Sequence, residues 1–219
     1  MIEVKHVSKT LKDHQVLKDV SVTFEAGHIY GIYGENGSGK TIFLRALAGL
    51  LIPDQGTIAY DGKILHQDID FPPDLGIIIE HMELLGSLNA YENLEVIAQY
   101  RQVATKEDIT EALKRVGLNS SLKVKKFSLG MKQRLNLAQA IFEHQRYLLL
   151  DEPFNALDEK GRAQLEQILL EEKAKEATII MTHHYMDELK RCSDMIYQVH
   201  KGQLIYQKGD IKNESPIKV

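Results

Sequence analysis

The sequence predicts an α/β protein with an antiparallel β layer near its start and a helical subdomain inserted in the middle of the chain. Strand-like runs alternate with helical patterns along most of the 219 residues, which is the arrangement of an α/β core. The first runs lie close together and are joined by turns such as residues 25–27, which favours antiparallel pairing. From about residue 83 to residue 142 the apolar periodicity is almost wholly helical.

Composition and charge exclude several classes of protein. Lys and Arg number 27 and Asp and Glu 31, for a net charge of −4, whereas wrapping nucleic acid needs a surplus of cations. The longest apolar run is the four residues 147–150, far short of the roughly 20 that span a membrane. No signal peptide is visible, and the single Cys192 has no partner for an internal disulfide. These features predict a globular cytoplasmic protein that does not bind nucleic acid.

Runs of β-branched and aromatic residues predict nine strands. In chain order they are Ile2–Val7, Val20–Phe24, Ile29–Tyr33, Thr57–Tyr60, Ile77–Glu80, Tyr147–Asp151, Thr178–Thr182, Met195–Val199 and Gln203–Tyr206. The run that begins at Tyr147 is apolar up to its terminal acid, so it is predicted to be a buried strand.

Four segments carry helical signals. Residues 41–49 follow a glycine-rich loop, and residues 90–100 are apolar on one face. Thr105 precedes acidic residues in the manner of an N-cap, and Gly117 can end the helix that follows. Ser128 can cap a further helix, whose apolar face is formed by Met131, Leu135, Ala138 and Phe142. Residues 83–142 are therefore predicted to form the inserted subdomain, and residues 1–82 and 143–219 the α/β core.

A glycine-rich segment, Gly34–Thr41, matches the phosphate-binding pattern G-x4-G-K-[ST]. Glycines let successive backbone N–H groups point at phosphate oxygens, and the N-terminus of the following helix adds a partial positive charge. Lys40 supplies a cation for the β- and γ-phosphates, and the Thr41 hydroxyl can ligate Mg2+. The alternative, a flexible glycine turn, does not account for the strand before the loop and the helix after it. The segment therefore predicts nucleotide binding.

Two acids, Asp151 and Glu152, end the predicted buried strand. Acids at the carboxyl end of a strand lie beside the nucleotide crevice in open α/β sheets. Asp151 is suited to hold the Mg2+ shell, and Glu152 to accept a proton from an attacking water. A pair of acids that closes a strand is, by itself, more often a solvated turn. Together with the phosphate loop, the pair predicts hydrolysis.

Three further motifs carry a resemblance to a known family. Phe127–Arg134, FSLGMKQR, resembles the signature motif of ATP-binding cassette (ABC) ATPases, usually written LSGGQ. Asn155–Asp158, NALD, is similar to the D-loop of that family, and Thr182-His183 follows a strand as its switch histidine does. The resemblance covers nearly the whole chain, with the motifs in the right order and spacing. It implies a P-loop NTPase core of the RecA-like type.

The resemblance also implies a role for each residue of the nucleotide site. The phosphates and magnesium would be held by Gly34, Asn36, Gly37, Ser38, Gly39, Lys40 and Thr41. Asp151 would order the metal shell, Glu152 would be the general base, and His183 would contact the γ-phosphate and position the water. The role of His184 stays open. Without the other motifs, His183 would be an ordinary hydrogen-bonded histidine.

The signature motif implies a second protein subunit. Ser128 and Gly130 would contact the γ-phosphate held by that subunit, so that two ATP molecules lie between the halves of a head-to-tail dimer. Asp158 would communicate across the same dimer. Without the other motifs, Ser128 would be an ordinary helix cap.

The chain departs from the family pattern in three places. Leu11 stands where an aromatic residue stacks on adenine, a contact worth about 1–3 kcal/mol, so weaker nucleotide binding and less discrimination against GTP are expected. Glu80 stands in place of the Q-loop glutamine and is expected to ligate Mg2+ or order water; the alternative is a strand-end acid facing solvent. In the signature, Leu129 and Met131 replace a glycine and a glutamine. This form resembles cassettes of bacterial export systems, including the bacitracin and lantibiotic resistance types.

These implications converge on the ATP-hydrolysing subunit of a membrane exporter. Such a subunit would bind ATP with Mg2+, pair with a second copy of itself, and drive a separate integral membrane permease from the inner face of the cell membrane. Two alternatives stay open. One is a soluble cassette ATPase that serves assembly, such as iron–sulfur scaffolding, and the other is a nucleotide-switched binding module with negligible turnover.

Overall fold

A computed structural model describes residues 1–79 and 83–207, which form one four-stranded and one six-stranded β-sheet with helices packed against them. The strands are β1 (Ile2–Leu11), β2 (His14–Phe24), β3 (His28–Tyr33), β4 (Gln55–Tyr60), β5 (Lys63–Ile64), β6 (Leu75–Ile78), β7 (Tyr147–Leu150), β8 (Thr178–His183), β9 (Met195–His200) and β10 (Gln203–Gln207). The helices are α1 (Lys40–Leu47), α2 (Ala90–Arg101), α3 (Lys106–Arg115), α4 (Leu129–Ile141), α5 (Glu159–Ala174) and α6 (Met186–Lys190), with a 3-10 turn at Val124–Lys126. Each of the nine predicted strands overlaps an observed one, and β1 and β2 are longer than predicted.

The four-stranded sheet is antiparallel throughout, in the order β2-β1-β4-β5. Ile2 and Val4 of β1 and Phe24 of β2 are buried in a core that they share with α1. The antiparallel layer that the sequence predicts is therefore confirmed. The turn at residues 25–27, expected to join two strands of this layer, instead leads from β2 into the other sheet.

The six-stranded sheet has the order β10-β9-β3-β8-β7-β6 and is parallel apart from the β9–β10 pair. β3, expected among the antiparallel strands, lies near the middle of this sheet. Its residues 29–32 are all buried, and a strand buried on both faces needs a covering layer on each side. Tyr33 of β3 pairs with His183 of β8, and Met181 of β8 pairs with Leu150 of β7. The carboxyl ends of three neighbouring strands therefore meet at one edge of the sheet.

Two hydrophobic cores cover the two faces of the parallel sheet. On one face, Leu149 of β7 packs in a core with Phe43 of α1 and with residues of β1, β2 and β4. On the other face, Leu148 of β7 lies in a core with Leu135 of α4 and Leu165 of α5. Successive residues of β7 thus face opposite cores, as the alternation of side chains along a strand requires.

The regular elements between residues 83 and 142 are all helical, as the sequence predicts. α3 begins at the expected cap, because Thr105 Oγ1 accepts the Asp108 N–H at 3.2 Å and the Asp108 carboxylate accepts the Thr105 N–H at 2.8 Å. Buried residues of α2, α3 and α4 share one core with the parallel sheet. Within residues 1–79 and 83–207, no helix combines the length and the apolar character needed to cross a bilayer.

Candidate active site

The predicted phosphate loop runs from the carboxyl end of β3 to the start of α1. Gly39, the N-cap of α1, has φ 110°, and a Cβ at this position would lie 2.8 Å from the carbonyl oxygen of Val16, so only glycine fits. Lys40 is buried, and its Nζ donates to the carbonyl oxygens of Gly34 at 2.8 Å and of Glu35 at 3.2 Å. The ammonium is therefore held across the loop with one of its three N–H donors left for another acceptor.

The same loop leaves a buried hydroxyl unsatisfied. Ser38 Oγ is buried and has no hydrogen-bond partner in the part of the chain that the structure describes. A buried polar atom without a partner is costly, and the first-turn amides of α1 have no intrahelical partners. Together with the Lys40 ammonium, these donors form a site suited to an anion. Asn36 and Gly37 lie at the exposed tip of the loop.

Oxygen atoms from α1 and from the end of β7 meet beside this loop. Thr41 Oγ1 donates a hydrogen bond to Asp151 Oδ2 at 2.7 Å, and Thr182 Oγ1 donates to Asp151 Oδ1. The Asp151 side chain is largely buried, and its backbone N–H donates to the Ile78 carbonyl at 2.7 Å. Hydroxyl and carboxylate oxygens are the ligands that Mg2+ prefers. The predicted metal residues Thr41 and Asp151 are thus brought together, whereas Glu80 lies outside the described residues.

The second acid, Glu152, is held by three contacts. Its backbone, in the left-handed region at φ 47°, donates its N–H to Thr182 Oγ1 at 3.1 Å. Its Oε2 accepts from Asn155 Nδ2 at 2.5 Å and lies 3.4 Å from His184 Nδ1. The Thr182 hydroxyl therefore links Glu152 to Asp151. The two predicted acids thus have different partners. Asp151 accepts a hydrogen bond from Thr41, and Glu152 accepts one from Asn155 in the turn that follows it.

The two neighbouring histidines lie in different surroundings. His183, predicted to contact the γ-phosphate, is 2% exposed, and its Nδ1 accepts the Tyr185 N–H at 3.0 Å. Burial, followed by the charge of His184, lowers the pKa of His183, so its ring is neutral at pH 7 and carries its proton on Nε2. The His184 ring stacks on it, with centroids 4.6 Å apart, and its side chain is 34% exposed. The structure thus brings His184, and not His183, beside the Glu152 carboxylate.

The predicted signature segment forms the N-terminus of α4. Ser128 caps this helix by accepting the Met131 N–H at 3.2 Å, which confirms the predicted cap. Ser128 is exposed, and Leu129 is 74% exposed. A Cβ on Gly130 would lie 2.9 Å from the Ala156 carbonyl oxygen, so the helix start and the D-loop are in close contact.

α4 is also tied to the turn after Glu152 and to α5. Gln133 Nε2 donates to the Pro153 carbonyl at 2.9 Å, and Arg134 Nη2 donates to Asp158 Oδ1 at 3.2 Å. Asp158 caps α5 by accepting the Gly161 N–H at 2.9 Å. Within a single chain the Asp158 side chain therefore already accepts hydrogen bonds from Arg134 and from the Gly161 N–H. Its role across a dimer stays a prediction.

Two functional contacts escaped the sequence analysis. The Asn155 amide on Glu152 and the Thr182 hydroxyl between the acids depend on a turn and on strand adjacency, which no local pattern reveals. The available signal for Thr182 was a polar residue directly after the apolar residues 179–181 of β8. Leu11, the predicted adenine contact, is the last residue of β1 and pairs with His14 of β2.

Comparisons with known proteins agree with this geometry. The family model described as ABC transporter matches residues 17–155. An uncharacterized ABC transporter ATP-binding protein of Bacillus subtilis, YybJ, is 50% identical over 206 residues, which span 93% of this chain and 94% of that protein. The lantibiotic transport ATP-binding protein SrtF of Streptococcus pyogenes is 32% identical, over 95% of this chain and 90% of its own. The bacitracin transport ATP-binding protein BcrA of Enterococcus faecalis is also 32% identical, over 94% of this chain and 68% of its own.

Solved structures of similar fold are ABC cassettes. An ATP-binding subunit of an ABC transporter superposes with a TM-score of 0.83 at 26% identity, over 93% of this chain and 88% of its own. A dimeric ATP-binding cassette in a post-hydrolysis state with ADP and Pi has the same fold, with a TM-score of 0.83 at 23% identity, over 93% and 96% of the two chains. The phosphate loop, the paired acids, the signature helix and these relatives together show that the chain belongs to the ABC transporter family, as an ATP-binding subunit that is an ATPase.

Proposed function

We propose that this chain hydrolyses ATP with Mg2+ at the edge of its parallel sheet and thereby drives an export permease. The observation that carries the catalytic part is the 2.7 Å hydrogen bond from Thr41 Oγ1 to Asp151 Oδ2. It joins the start of α1, beside the buried Lys40, to the acidic end of β7. A phosphate-binding loop next to a carboxylate and a candidate base is the arrangement that phosphoryl transfer to water needs.

The phosphates would be bound by the loop residues of the predicted set. The amides of Gly37 and Gly39 and the orphaned Ser38 hydroxyl would donate to phosphate oxygens, and Lys40 adds a positive charge on the β- and γ-phosphates. Asn36 and Gly34 complete the curve of the loop. Because these groups are fixed before a nucleotide arrives, they stabilise charge without reorganisation.

Magnesium fits the oxygen pair described above. Thr41 and Asp151 would hold it, since both present hard oxygen ligands, and phosphate oxygens and waters would supply the remaining ones. When bound, the ion would offset the negative charge of the triphosphate. Glu80 is proposed as a further ligand, or as a group that orders water, on the resemblance alone.

Glu152 is proposed as the general base that takes a proton from the attacking water. The role predicted for His183 stays a prediction, but the geometry favours His184 for the γ-phosphate contact. His184 is partly exposed and lies beside the Glu152 carboxylate, whereas His183 is buried with its Nδ1 already engaged. An imidazole on the open side of the base can donate an N–H to a phosphate oxygen and hold the water in line.

The cassettes of this family dimerise, and we propose that this chain pairs with a second copy of itself. Ser128 and Gly130 would bind the γ-phosphate held by the partner subunit, which the exposure of Ser128 and Leu129 permits. Closure would then depend on contacts that exist only with ATP bound. We take residues 83–142 as the helical subdomain and residues 1–82 and 143–219 as the core that it moves against.

The similarity to lantibiotic and bacitracin transport proteins supports an exporter. The partner would be an integral membrane permease, and the chain would lie on the inner face of the cell membrane through that contact. The relatives named above are described as ABC transporter or transport ATP-binding proteins, and nothing among them supports iron–sulfur assembly. Co-purification of a protein with several membrane spans in detergent is the expected result when the chain is isolated from its native cell.

The catalytic proposal is tested by phosphate release from ATP and Mg2+. Lys40→Ala and Glu152→Gln are each expected to lower turnover on the order of 100-fold or more, and Glu152→Gln should also accumulate as an ATP-loaded dimer. Glu159→Gln, which changes an exposed acid at the start of α5, is the matched control and should keep the wild-type rate. Unchanged turnover in Glu152→Gln would exclude Glu152 as the base.

A further inference from the structure

The amide of Asn155 makes the shortest contact to the proposed base. Asn155 Nδ2 donates to Glu152 Oε2 at 2.5 Å, and the backbone N–H of Asn155 donates to the Glu152 carbonyl at 3.1 Å. The two residues are therefore joined both through their side chains and through a tight turn. A hydrogen bond to a carboxylate is stronger than one between neutral groups.

The two oxygens of the Glu152 carboxylate are treated differently. Oε2 is contacted by both Asn155 and His184, while Oε1 accepts no hydrogen bond from any residue that the structure describes. The Asn155 amide donates to Oε2, and the His184 ring lies beside the same oxygen, so the direction of the carboxylate is fixed from that side. The second oxygen is then the one free to accept a proton from water.

The turn that carries Asn155 is itself held in place. Glu152 and Ala156 both have positive φ, at 47° and 62°, so the backbone bends sharply on each side of Asn155. The Pro153 carbonyl accepts from Gln133 of α4 at 2.9 Å. A side chain on a sharply bent turn that is tied to α4 can position its neighbour with little freedom.

We propose that Asn155 is a positioning residue for hydrolysis: its amide holds Glu152 Oε2 so that Oε1 faces the attacking water. This rests on the proposed role of Glu152 as the base. Asn155 touches neither nucleotide nor water in this scheme and acts only through Glu152. Its removal should therefore slow the chemical step and leave nucleotide binding unchanged.

The experiment compares kcat and KM for ATP in three variants of the full chain. Asn155→Ala removes the donor and should lower kcat about 10- to 100-fold at constant KM, because small misplacements of a reacting group have effects of this order. Asn155→Asp keeps the shape, replaces the donor by an acceptor and should be at least as slow. Asn155→Gln keeps an amide and should recover part of the rate. Asn119→Ala, an exposed asparagine after α3, is the control and should match the wild type.

A double variant distinguishes the role of Asn155 from the proposed role of Glu152 as the general base. In the Glu152→Gln background, adding Asn155→Ala should leave the residual rate unchanged, because no base remains to be positioned. A wild-type kcat in Asn155→Ala, a change in KM alone, full activity in Asn155→Asp, or a further loss in the double variant would each overturn the role of Asn155. If Glu152→Gln itself kept full turnover, the base assignment would fail first, and the positioning role would fail with it.

Discussion

At the scale of single residues, the neighbours His183 and His184 have opposite environments. His183 ends β8 and its ring is enclosed, in edge-to-face contact with Phe154 at 6.2 Å between centroids. His184 follows the strand, and its ring is open on one side and faces Glu152. The two rings stack on each other, and the His183 ring lies on the buried side of this stack while the His184 ring lies on its open side. The sequence alone, with two histidines in a row, could not decide which is which.

Alanine variants of the two histidines should have different effects. His184→Ala is expected to lower ATP turnover about 10- to 100-fold with little change in the free energy of unfolding, because it removes a group on the open side of the site. His183→Ala is expected to cost about 2–4 kcal/mol of stability, because it leaves a cavity and an unpaired Tyr185 N–H. Urea denaturation and phosphate release measure the two effects. A stable, inactive His183→Ala beside an active His184→Ala would return the catalytic role to His183.

The phosphate loop was the residue set most fully predicted from sequence. Gly39 and Lys40 lie where the pattern requires because the loop geometry follows from a short contiguous segment between a strand and a helix. The Asp151 contact to Thr41 was also expected, although the two lie 110 residues apart. The contact of Asn155 with Glu152 was not, since it arises from the shape of one turn.

At the scale of secondary elements, the backbone of β6 packs directly against the backbone of α4. A Cβ on Gly76 of β6 would lie 1.9 Å from the Ala140 carbonyl oxygen and 2.6 Å from Leu148 Cδ2. Backbone atoms cannot move aside as a flexible side chain can, so the strand and the helix would have to separate. This contact sets the distance between the helix that carries the signature and the sheet that carries the acids.

Gly76→Ala should therefore destabilise the protein by about 1–3 kcal/mol, the usual cost of overpacking a core. The matched control is Gly86→Ala, where the nearest atom to the new Cβ is Lys125 Cβ at 3.5 Å, an ordinary contact. The free energy of unfolding, measured by urea denaturation, should fall for Gly76→Ala. For Gly86→Ala it should stay within about 0.5 kcal/mol of the wild type. Equal stabilities of the two variants would contradict the close packing.

α4 is further joined to its neighbours by Arg134. Its Nη1 donates to the Val116 carbonyl and to Gln164 Oε1, both at 2.7 Å, and its Nη2 reaches Asp158 at 3.2 Å. One guanidinium thus links the end of α3, the start of α5 and the D-loop, a use that suits its fork of donors. The sequence predicted the apolar face of α4 from its period, but this polar face depends on which helices lie next to it.

At the scale of the whole molecule, the proposed site would need residues from two chains. The Ser128 hydroxyl is satisfied within its own helix by the Met131 N–H, and both Ser128 and Leu129 are exposed. An exposed helix start next to a large apolar side chain is a surface suited to a partner. In a head-to-tail pair, the phosphate loop of one subunit would meet the signature of the other.

Mixing two inactive variants should restore activity if this arrangement holds. Lys40→Ala destroys the phosphate loop, and Ser128→Arg blocks the signature, so each pure dimer has two defective sites. In a mixed dimer both defects fall in one site and the other is intact. Random pairing should therefore return about a quarter of the wild-type phosphate release, because half of the dimers are mixed and each has one working site of two. No recovery at concentrations where the wild type is dimeric would mean that each chain builds its site alone.

The sequence by itself determined the α/β class, the helical character of residues 83–142, the phosphate loop and the pair of acids, because each is written in contiguous residues whose period, caps and glycines act locally. Only the tertiary structure decided that β3 joins the parallel sheet, that His184 lies beside Glu152, and that Asn155 holds that carboxylate. These depend on which strands become neighbours and how tight turns aim their side chains. Strand order and turn geometry depend on burial on both faces of the sheet and on packing between distant parts of the chain. No short stretch of residues specifies them.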